Sequence, residues 1–238
     1  MDPNRSGGPT RWLHSRTVLD RVVAAILSVL TAPVVAVLAG LVRRHDGHPP
    51  LIRVPRVGRG GVVFGMWKIR SMRVDTQDGR AAGVALTASG DDRITPVGAR
   101  MRSLHLDELP QLYNVVCGEM CLLGPRPEAP EFVDLDDPAW VDVLSVPPGI
   151  AGPTQLIVGD WELTQIDLDQ TGDAYRDLVV PVKLAIDRWY VRAANARLDL
   201  LVLTSLARHV LSGRAPALGR VVGAAVPEAA LPIDAETP

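Results

Sequence analysis

From Val22 to Val42 the chain reads V-V-A-A-I-L-S-V-L-T-A-P-V-V-A-V-L-A-G-L-V, 21 residues without a charge. At about 1.5 Å per residue, a helix of that length covers the roughly 30 Å hydrocarbon core of a bilayer. The segment therefore points to a membrane-associated chain. It starts late, lacks a clear cleavage site and precedes no disulfide-using domain, so it does not read as a signal peptide. Arg21 stands before it and Arg43-Arg44-His45 follow. With positive charge at both ends, the positive-inside rule gives no direction for a crossing. Pro33, near the middle, removes a helix hydrogen bond and predicts a kink. A kinked single span would put the two flanks on opposite sides of the membrane.

The formal charge of −2 hides an asymmetry: residues 1–106 carry 16 Lys/Arg against 7 Asp/Glu, and residues 107–238 carry 9 against 20. A basic half beside an apolar segment suits an anionic membrane surface, and no nucleic-acid partner is expected. A length of 238 residues suits one domain with a real core. Cys117 and Cys121 lie four apart on a predicted helix without partners at zinc spacing, so they read as free thiols of a reducing compartment. Residues 1–17 are polar and read as a loose terminus. After Gly213 the chain is Ala/Pro-rich without periodicity, and disorder is expected there.

Between Val62 and Ile69 the residues alternate as in a strand, and a strand pair is expected around the turn Gly58-Arg59-Gly60-Gly61. That Gly-rich run lacks the G-x-x-x-x-G-K-[ST] pattern of a phosphate loop. Lys68 is one of two lysines in an Arg-dominated chain. Lys68 and Arg70 read either as phosphate contacts or as solvated strand ends. Residues 74–92 are expected to form a surface loop, and Thr95-Pro96 the start of a helix. Residues 182–192 suit a second helix. Leu198 to Leu211 suits an apolar one, with Arg208 and His209 near its end, lying on a membrane surface or in the core. Asp167, Asp169 and Gly172 hint at a calcium loop, but Leu178 stands where the bidentate Glu belongs, and the reading fails.

The stretch from Arg102 to Pro127, R-S-L-H-L-D-E-L-P-Q-L-Y-N-V-V-C-G-E-M-C-L-L-G-P-R-P, puts adjacent carboxylates, Asp107 and Glu108, at a predicted helix start. Asp107 has the character of an N-cap, Pro110 falls in the first turn, and Leu109, Leu112, Tyr113 and Val116 recur at helical spacing toward a core. The N–H groups of a helix start favour phosphate. Arg102 precedes the pair, and Arg126 follows about five helical turns on. The plain reading of the pair is a cap and a first-turn Glu; the other is chemistry. His105 stands two residues before Asp107, as a proton carrier or as a packing or surface residue.

Taken whole, L-D-E-L-P-Q-L-x-N-V followed by G-x-M-x-x-x-G-P-R-P resembles the signature of the bacterial sugar transferase family. These are monotopic phosphoglycosyl transferases, which move a sugar phosphate from a nucleotide sugar to a polyprenyl phosphate. Lys68-Ile69-Arg70-Ser71-Met72 resembles another family segment, as do Asp92 to Arg102, Val146 to Gly152, and the positions of Asp187, Tyr190 and Asp199. Three features depart from the pattern. Pro147 stands where the family has Arg, Ala151 where it has Thr, and Pro153-Thr154-Gln155 where Trp-x-Gln is usual.

The resemblance, over about residues 18–212, implies an α+β fold: a mostly helical, membrane-associated single domain with a small sheet and an N-terminal re-entrant membrane helix. It divides the chain into a flexible N-terminus (1–17), a re-entrant helix-break-helix (18–45), a catalytic domain (46–212) and a disordered tail (213–238). The break would fall at Ala32-Pro33, where Ser-Pro is usual, with the Thr31 hydroxyl standing in for the missing serine. Asp107 would be the nucleophile, and Glu108 would hold Mg²⁺, with Asp107 as a second ligand. Lys68, Arg70, Arg102 and Arg126 would bind substrate phosphate, with Arg100 beside Arg102 approaching the carboxylates. The implied substrates are a nucleoside-diphosphate sugar, UDP-linked in the simplest case, and polyprenyl (undecaprenyl) phosphate in the bilayer. The enzyme would act at the cytoplasmic face of the cell membrane. Pro147 and Ala151 leave open a non-enzymatic scaffold that kept the fold, and a membrane-anchored phosphohydrolase would use the same carboxylates.

Overall fold

The computed structural model describes residues 10–74, 86–88, 90–169, 171–212 and 216–226. Most of the expected 74–92 loop lies outside the described residues. The described chain is mostly helical with two small sheets, as expected for an α+β domain.

A short helix, α1 (Arg11–Ser15), leads into α2 (Thr17–Asp46), 30 residues closed by Gly47 in the left-handed conformation. One stripe of α2 packs on the rest of the protein: Asp20 and Ala24 are buried, Ser28, Thr31, Val35 and Leu38 half-buried, and Val42 buried again. Steps of three and four residues put these positions on one helix face. The remaining surface, including Val18, Val22, Ile26, Val29, Leu30, Val34 and Val37, is apolar and exposed. By length and composition α2 is able to cross a membrane.

The expected break at Ala32-Pro33 does not interrupt the helix. Pro33 lies inside α2, with docked segments on either side that hold both halves on one body. Nor does Thr31 stand in for the absent serine. Its hydroxyl donates to the Leu27 carbonyl at 2.7 Å, whereas Pro33 leaves the Val29 carbonyl without its helical donor.

The expected strand pair is present as β1 (Leu51–Val57) and β2 (Val63–Ile69), antiparallel around the Gly-rich turn, with Pro55 opposite Gly65 and Ile52 opposite Lys68. Thr95 caps α3 (Pro96–Ser103), its hydroxyl accepting from the Gly98 N–H at 2.9 Å. A 3₁₀ turn (Leu106–Glu108) precedes α4 (Gln111–Cys117), and β3 (Cys121–Leu123) pairs in parallel with β4 (Gly149–Ala151). Cys117 therefore ends a helix and Cys121 begins a strand; they do not share one helix.

Helices α5 (Pro138–Val143), α6 (Pro153–Leu168), α7 (Val180–Ala193), α8 (Ala196–Ser212) and α9 (Pro216–Ala225) complete the fold, with a π turn (Tyr175–Val179) running into α7. The calcium-like loop caps this region instead: Asp169 accepts from the N–H groups of Thr171 and Ala174.

Two expectations about the termini are corrected. Leu13 is buried in the main core, so the segment before residue 17 is not loose where it is described. In the expected disordered tail, Leu218, Val222 and Val226 of α9 and its end are buried beside Val158, Ile186 and Val202. Their spacing of four residues is a helical stripe, short enough to be hidden by the alanines and prolines around it. Leu198 and Val202 enter this same core, while Leu200 and Leu203 on α8 stay exposed.

Candidate active site

The two carboxylates stand on the 3₁₀ turn between α3 and α4. His105 enters it with φ +53°, a conformation uncommon outside glycine. It is itself exposed. Asp107 is not the N-cap of α4, because Pro110 occupies that position and no side chain caps the helix. Likewise α4 turns Leu112 and Val115 inward together with Gln111 and Asn114, leaving Tyr113 exposed. The helix begins three residues later than expected, which rotates its inner face.

Asp107 and Glu108 are both buried, at 4% and 9% exposure, and their surroundings differ. Lys68, projecting from β2, places Nζ 2.9 Å from Glu108 Oε1. Arg126, beyond β3, donates through Nη2 to the same oxygen at 2.5 Å and through Nη1 to Oε2 at 3.3 Å. Burial by itself would raise the Glu108 pKa. The charges and hydrogen bonds of Arg126 and Lys68 overcome it and hold the carboxyl well below the usual carboxylate range. Burial pushes the Lys68 pKa down, against the attraction of Glu108. Asp107, by contrast, has no hydrogen-bond or ion-pair partner among the described residues. The site thus holds one carboxylate clamped by two cations beside a second one that makes neither a hydrogen bond nor an ion pair among the described residues, though its charge acts on Lys68.

The other arginines lie elsewhere. Arg70 is buried and donates to the carbonyls of Pro49, His48 and Met72, bracing the approach to β1, so its guanidinium does not join the carboxylates. Arg100 and Arg102, in the last turn of α3, make no ion pair with them among the described residues; the charge of Arg102 helps hold the Asp91 pKa low. Ala32 and Pro33 face outward on α2.

Arg126 is aimed by close backbone packing. The Gly149 N–H donates to the Pro125 carbonyl at 2.7 Å, and the Gly124 N–H to the Ala151 carbonyl at 2.9 Å. A Cβ on Gly149 would sit 2.1 Å from the Gly124 nitrogen, so only glycine allows the two segments to meet.

The family model described as bacterial sugar transferase matches residues 11–213. The chain belongs to that family. The UDP-N-acetylgalactosamine-undecaprenyl-phosphate N-acetylgalactosaminephosphotransferase of Aeromonas hydrophila is 33% identical over 82% of this chain. The chain spans 43% of that relative, less than half of its length. The UDP-glucose:undecaprenyl-phosphate glucose-1-phosphate transferase of Caulobacter vibrioides is 35% identical over 78% of this chain and 77% of its own length. The exopolysaccharide production protein ExoY of Rhizobium meliloti is 28% identical over 77% of this chain and 80% of its own.

Within this bacterial sugar transferase, two of the three departures from the pattern, Pro147 and Ala151, fall where the backbone makes the contact. The Ala151 and Pro147 carbonyls accept from the Gly124 N–H and the Cys121 thiol whatever the side chains are. Two buried clusters were not foreseen as clusters. Arg16 binds Asp199, Tyr190 and the Leu123 carbonyl, and Trp12 donates to Asp199 at 2.7 Å, tying the start of α2 to α7 and α8. Lys183 lies 2.9 Å from both Glu128 and Glu162 and donates to the Tyr175 hydroxyl at 2.6 Å. As the second of the chain's two lysines it carried the same signal as Lys68. Asp187, which accepts from the Thr154 hydroxyl, has its pKa pushed up by burial to about 7, with Thr154 and Lys183 opposing.

Proposed function

We propose that this protein transfers a sugar phosphate from a nucleoside-diphosphate sugar, UDP-linked in the simplest case, to undecaprenyl phosphate at the cytoplasmic face of the cell membrane. Such a step initiates assembly of a cell-surface glycan. The observation that carries the reading is the unengaged Asp107 beside a Glu108 locked between Lys68 and Arg126. The Aeromonas and Caulobacter relatives are named for this class of transfer.

In the first step an Asp107 oxygen attacks the β-phosphorus of the nucleotide sugar. The bond from that phosphorus to the oxygen bridging to the α-phosphate breaks, and nucleoside monophosphate leaves. A carboxylate is a competent phosphoryl nucleophile. In the second step a phosphate oxygen of the polyprenyl acceptor attacks the same phosphorus, and Asp107 departs as a carboxylate. Lys68 and Arg126 bear the positive charge for diphosphate oxygens, and their ion pairs with Glu108 preset their positions. Among the described residues no group of three or more His, Cys, Asp or Glu is placed to hold a metal. Mg²⁺ commonly takes one or two carboxylates plus substrate phosphates; the Asp107 oxygens are open to that mode, while Glu108 would have to release Lys68 or Arg126 to join it. Bound there, Mg²⁺ would neutralise diphosphate charge.

The packing of α2 supports placing both of its flanks on one side of the membrane. Ala24 packs with Met66 and Leu112, and Val42 with Ile69 and Met101, so both ends of the helix dock on the same catalytic body. A crossing with its flanks in opposite compartments would separate those contacts.

The test is brief exposure of purified protein to nucleotide sugars without acceptor, followed by mass spectrometry. Sugar phosphate on Asp107, absent in Asp107→Asn, is expected, with lipid-linked product once polyprenyl phosphate is added. Free sugar phosphate without lipid product would indicate a phosphohydrolase, and neither product a scaffold. A folded Asp107→Asn that keeps acceptor-dependent transfer would refute the covalent route.

A further inference from the structure

Strand β2 carries Lys68 to Glu108, yet among the described residues it belongs to a two-stranded sheet with only β1 as a partner. Its other edge needs hydrogen bonds from somewhere, since buried backbone groups are costly to leave unpaired. A single side chain supplies two of them. The Asn114 Oδ1 accepts from the Trp67 N–H at 3.0 Å, and its Nδ2 donates to the Gly65 carbonyl at 3.0 Å. That pair of bonds imitates a neighbouring strand. Nδ2 also donates to Glu119 Oε2 at 2.7 Å, so both donors of the carboxamide and its acceptor are used. Asn114 has no exposed surface. Its backbone carbonyl receives the N–H groups of Glu119 and Met120, fixing the end of α4 where the chain turns into β3.

We infer that Asn114 is a positioning residue for Lys68: its carboxamide clamps β2 to α4 and so sets the distance from the Lys68 ammonium to the carboxylate turn. The path is short. Trp67, held by Asn114, adjoins Lys68, and α4 follows the turn bearing Asp107 and Glu108 after only Leu109 and Pro110. An error of even 1 Å in β2 would break the 2.9 Å contact between Lys68 and Glu108. No aliphatic residue of similar size supplies one acceptor and two donors. Aspartate supplies the acceptor but turns a second oxygen toward the Gly65 carbonyl and the Glu119 carboxylate. The inference rests on the transferase reading only for its effect on turnover.

The test uses the full chain in lipid nanodiscs and readouts that do not require activity. Because the chain has two lysines, amine acylation followed by mass spectrometry reports on Lys68 with Lys183 as internal reference. Asn114→Ala is expected to speed Lys68 acylation several-fold relative to Lys183, and to raise hydrogen exchange in the peptide spanning Trp67 roughly tenfold. Asn114→Asp is the second variant if Asn114→Ala does not fold. Its exchange at pH 5, corrected for the intrinsic rate, is expected to fall back toward that of the parent as the new carboxyl gains a proton and regains a donor. Turnover is measured in Asn114→Ala, Lys68→Met and the double variant. If Asn114 acts through Lys68, the double variant loses little beyond Lys68→Met, whereas a merely structural role gives additive losses. A folded Asn114 variant with parental acylation and exchange, or additive losses in turnover, overturns the assignment. Parental protein inactive on every nucleotide sugar would count against the transferase reading, while acylation and exchange would still decide the role of Asn114.

Discussion

Replacing Glu108 by Gln removes the one anion shared by Lys68 and Arg126 and leaves two cations facing each other. Losing one member of a buried ion pair costs about 3–5 kcal/mol. Lys68 and Arg126 keep 21% and 25% of their side-chain surface exposed, enough to recruit water. The lower end, about 3 kcal/mol, is therefore expected. At roughly 2–4 °C per kcal/mol for a chain of this size, Tm should fall by about 6–12 °C at pH 7. The pH dependence has a definite sign. The native carboxyl is held far below its unfolded value of about 4.3, so its contribution is fully present above that pH. As pH falls further, the unfolded chain binds a proton that the native state refuses, and the contribution is lost. Thermal melts from pH 7 down to pH 3.5 should show the gap between parent and Glu108→Gln narrowing, with most of the change below pH 4.3. If Glu108 also holds Mg²⁺, excess Mg²⁺ should recover part of the transfer activity, which it should not do in Asp107→Asn. A Glu108→Gln protein melting within about 1 °C of the parent at pH 7, or a gap independent of pH, would refute the clamp.

Asp187→Asn keeps an acceptor for the Thr154 hydroxyl while removing a carboxylate whose pKa is raised to about 7. The penalty it removes is absent below about pH 4 and complete above pH 7, so the variant should gain about 2–4 kcal/mol at pH 8 and nothing at pH 4 by chemical denaturation. Leu218→Ala should cost about 2–5 kcal/mol because the side chain is wholly buried, while Val221→Ala, on the exposed face of α9, should be near neutral. Equal melts for the two would mean that α9 does not dock. Single cysteines at Ser15 and Ser103, both exposed, should respond alike to an impermeant thiol reagent on intact cells in a Cys-free background. Labelling at Ser15 alone would establish a full crossing and refute the re-entrant arrangement.

Local signals in the chain were enough for some of this. The uncharged run through Val42, the alternation into Ile69 and the Thr95-Pro96 cap each depend on neighbours within a few residues, where periodicity and turn chemistry operate. The pairing of Asp107 with Glu108 is likewise adjacent in sequence. Which cations reach them is not. Lys68 and Arg70 look alike as strand-end cations two residues apart, yet β2 ends at Ile69: Lys68, still on the strand, reaches Glu108, while Arg70, just past its end, turns to backbone carbonyls. Arg102, five residues from Asp107, turns away on α3, while Arg126 is returned by the parallel contact of β3 with β4. Arg16 in a polar terminus and Leu218 in an Ala/Pro-rich tail became core residues for the same reason. Asp199 and Ile186, far away in sequence, offered each of them a partner. Sequence alone specified the long apolar helix, the hairpin and the carboxylate pair. Tertiary packing alone decided which carboxylate is clamped by Lys68 and Arg126 and which is not, because charge pairing and burial depend on distances that only the assembled backbone defines.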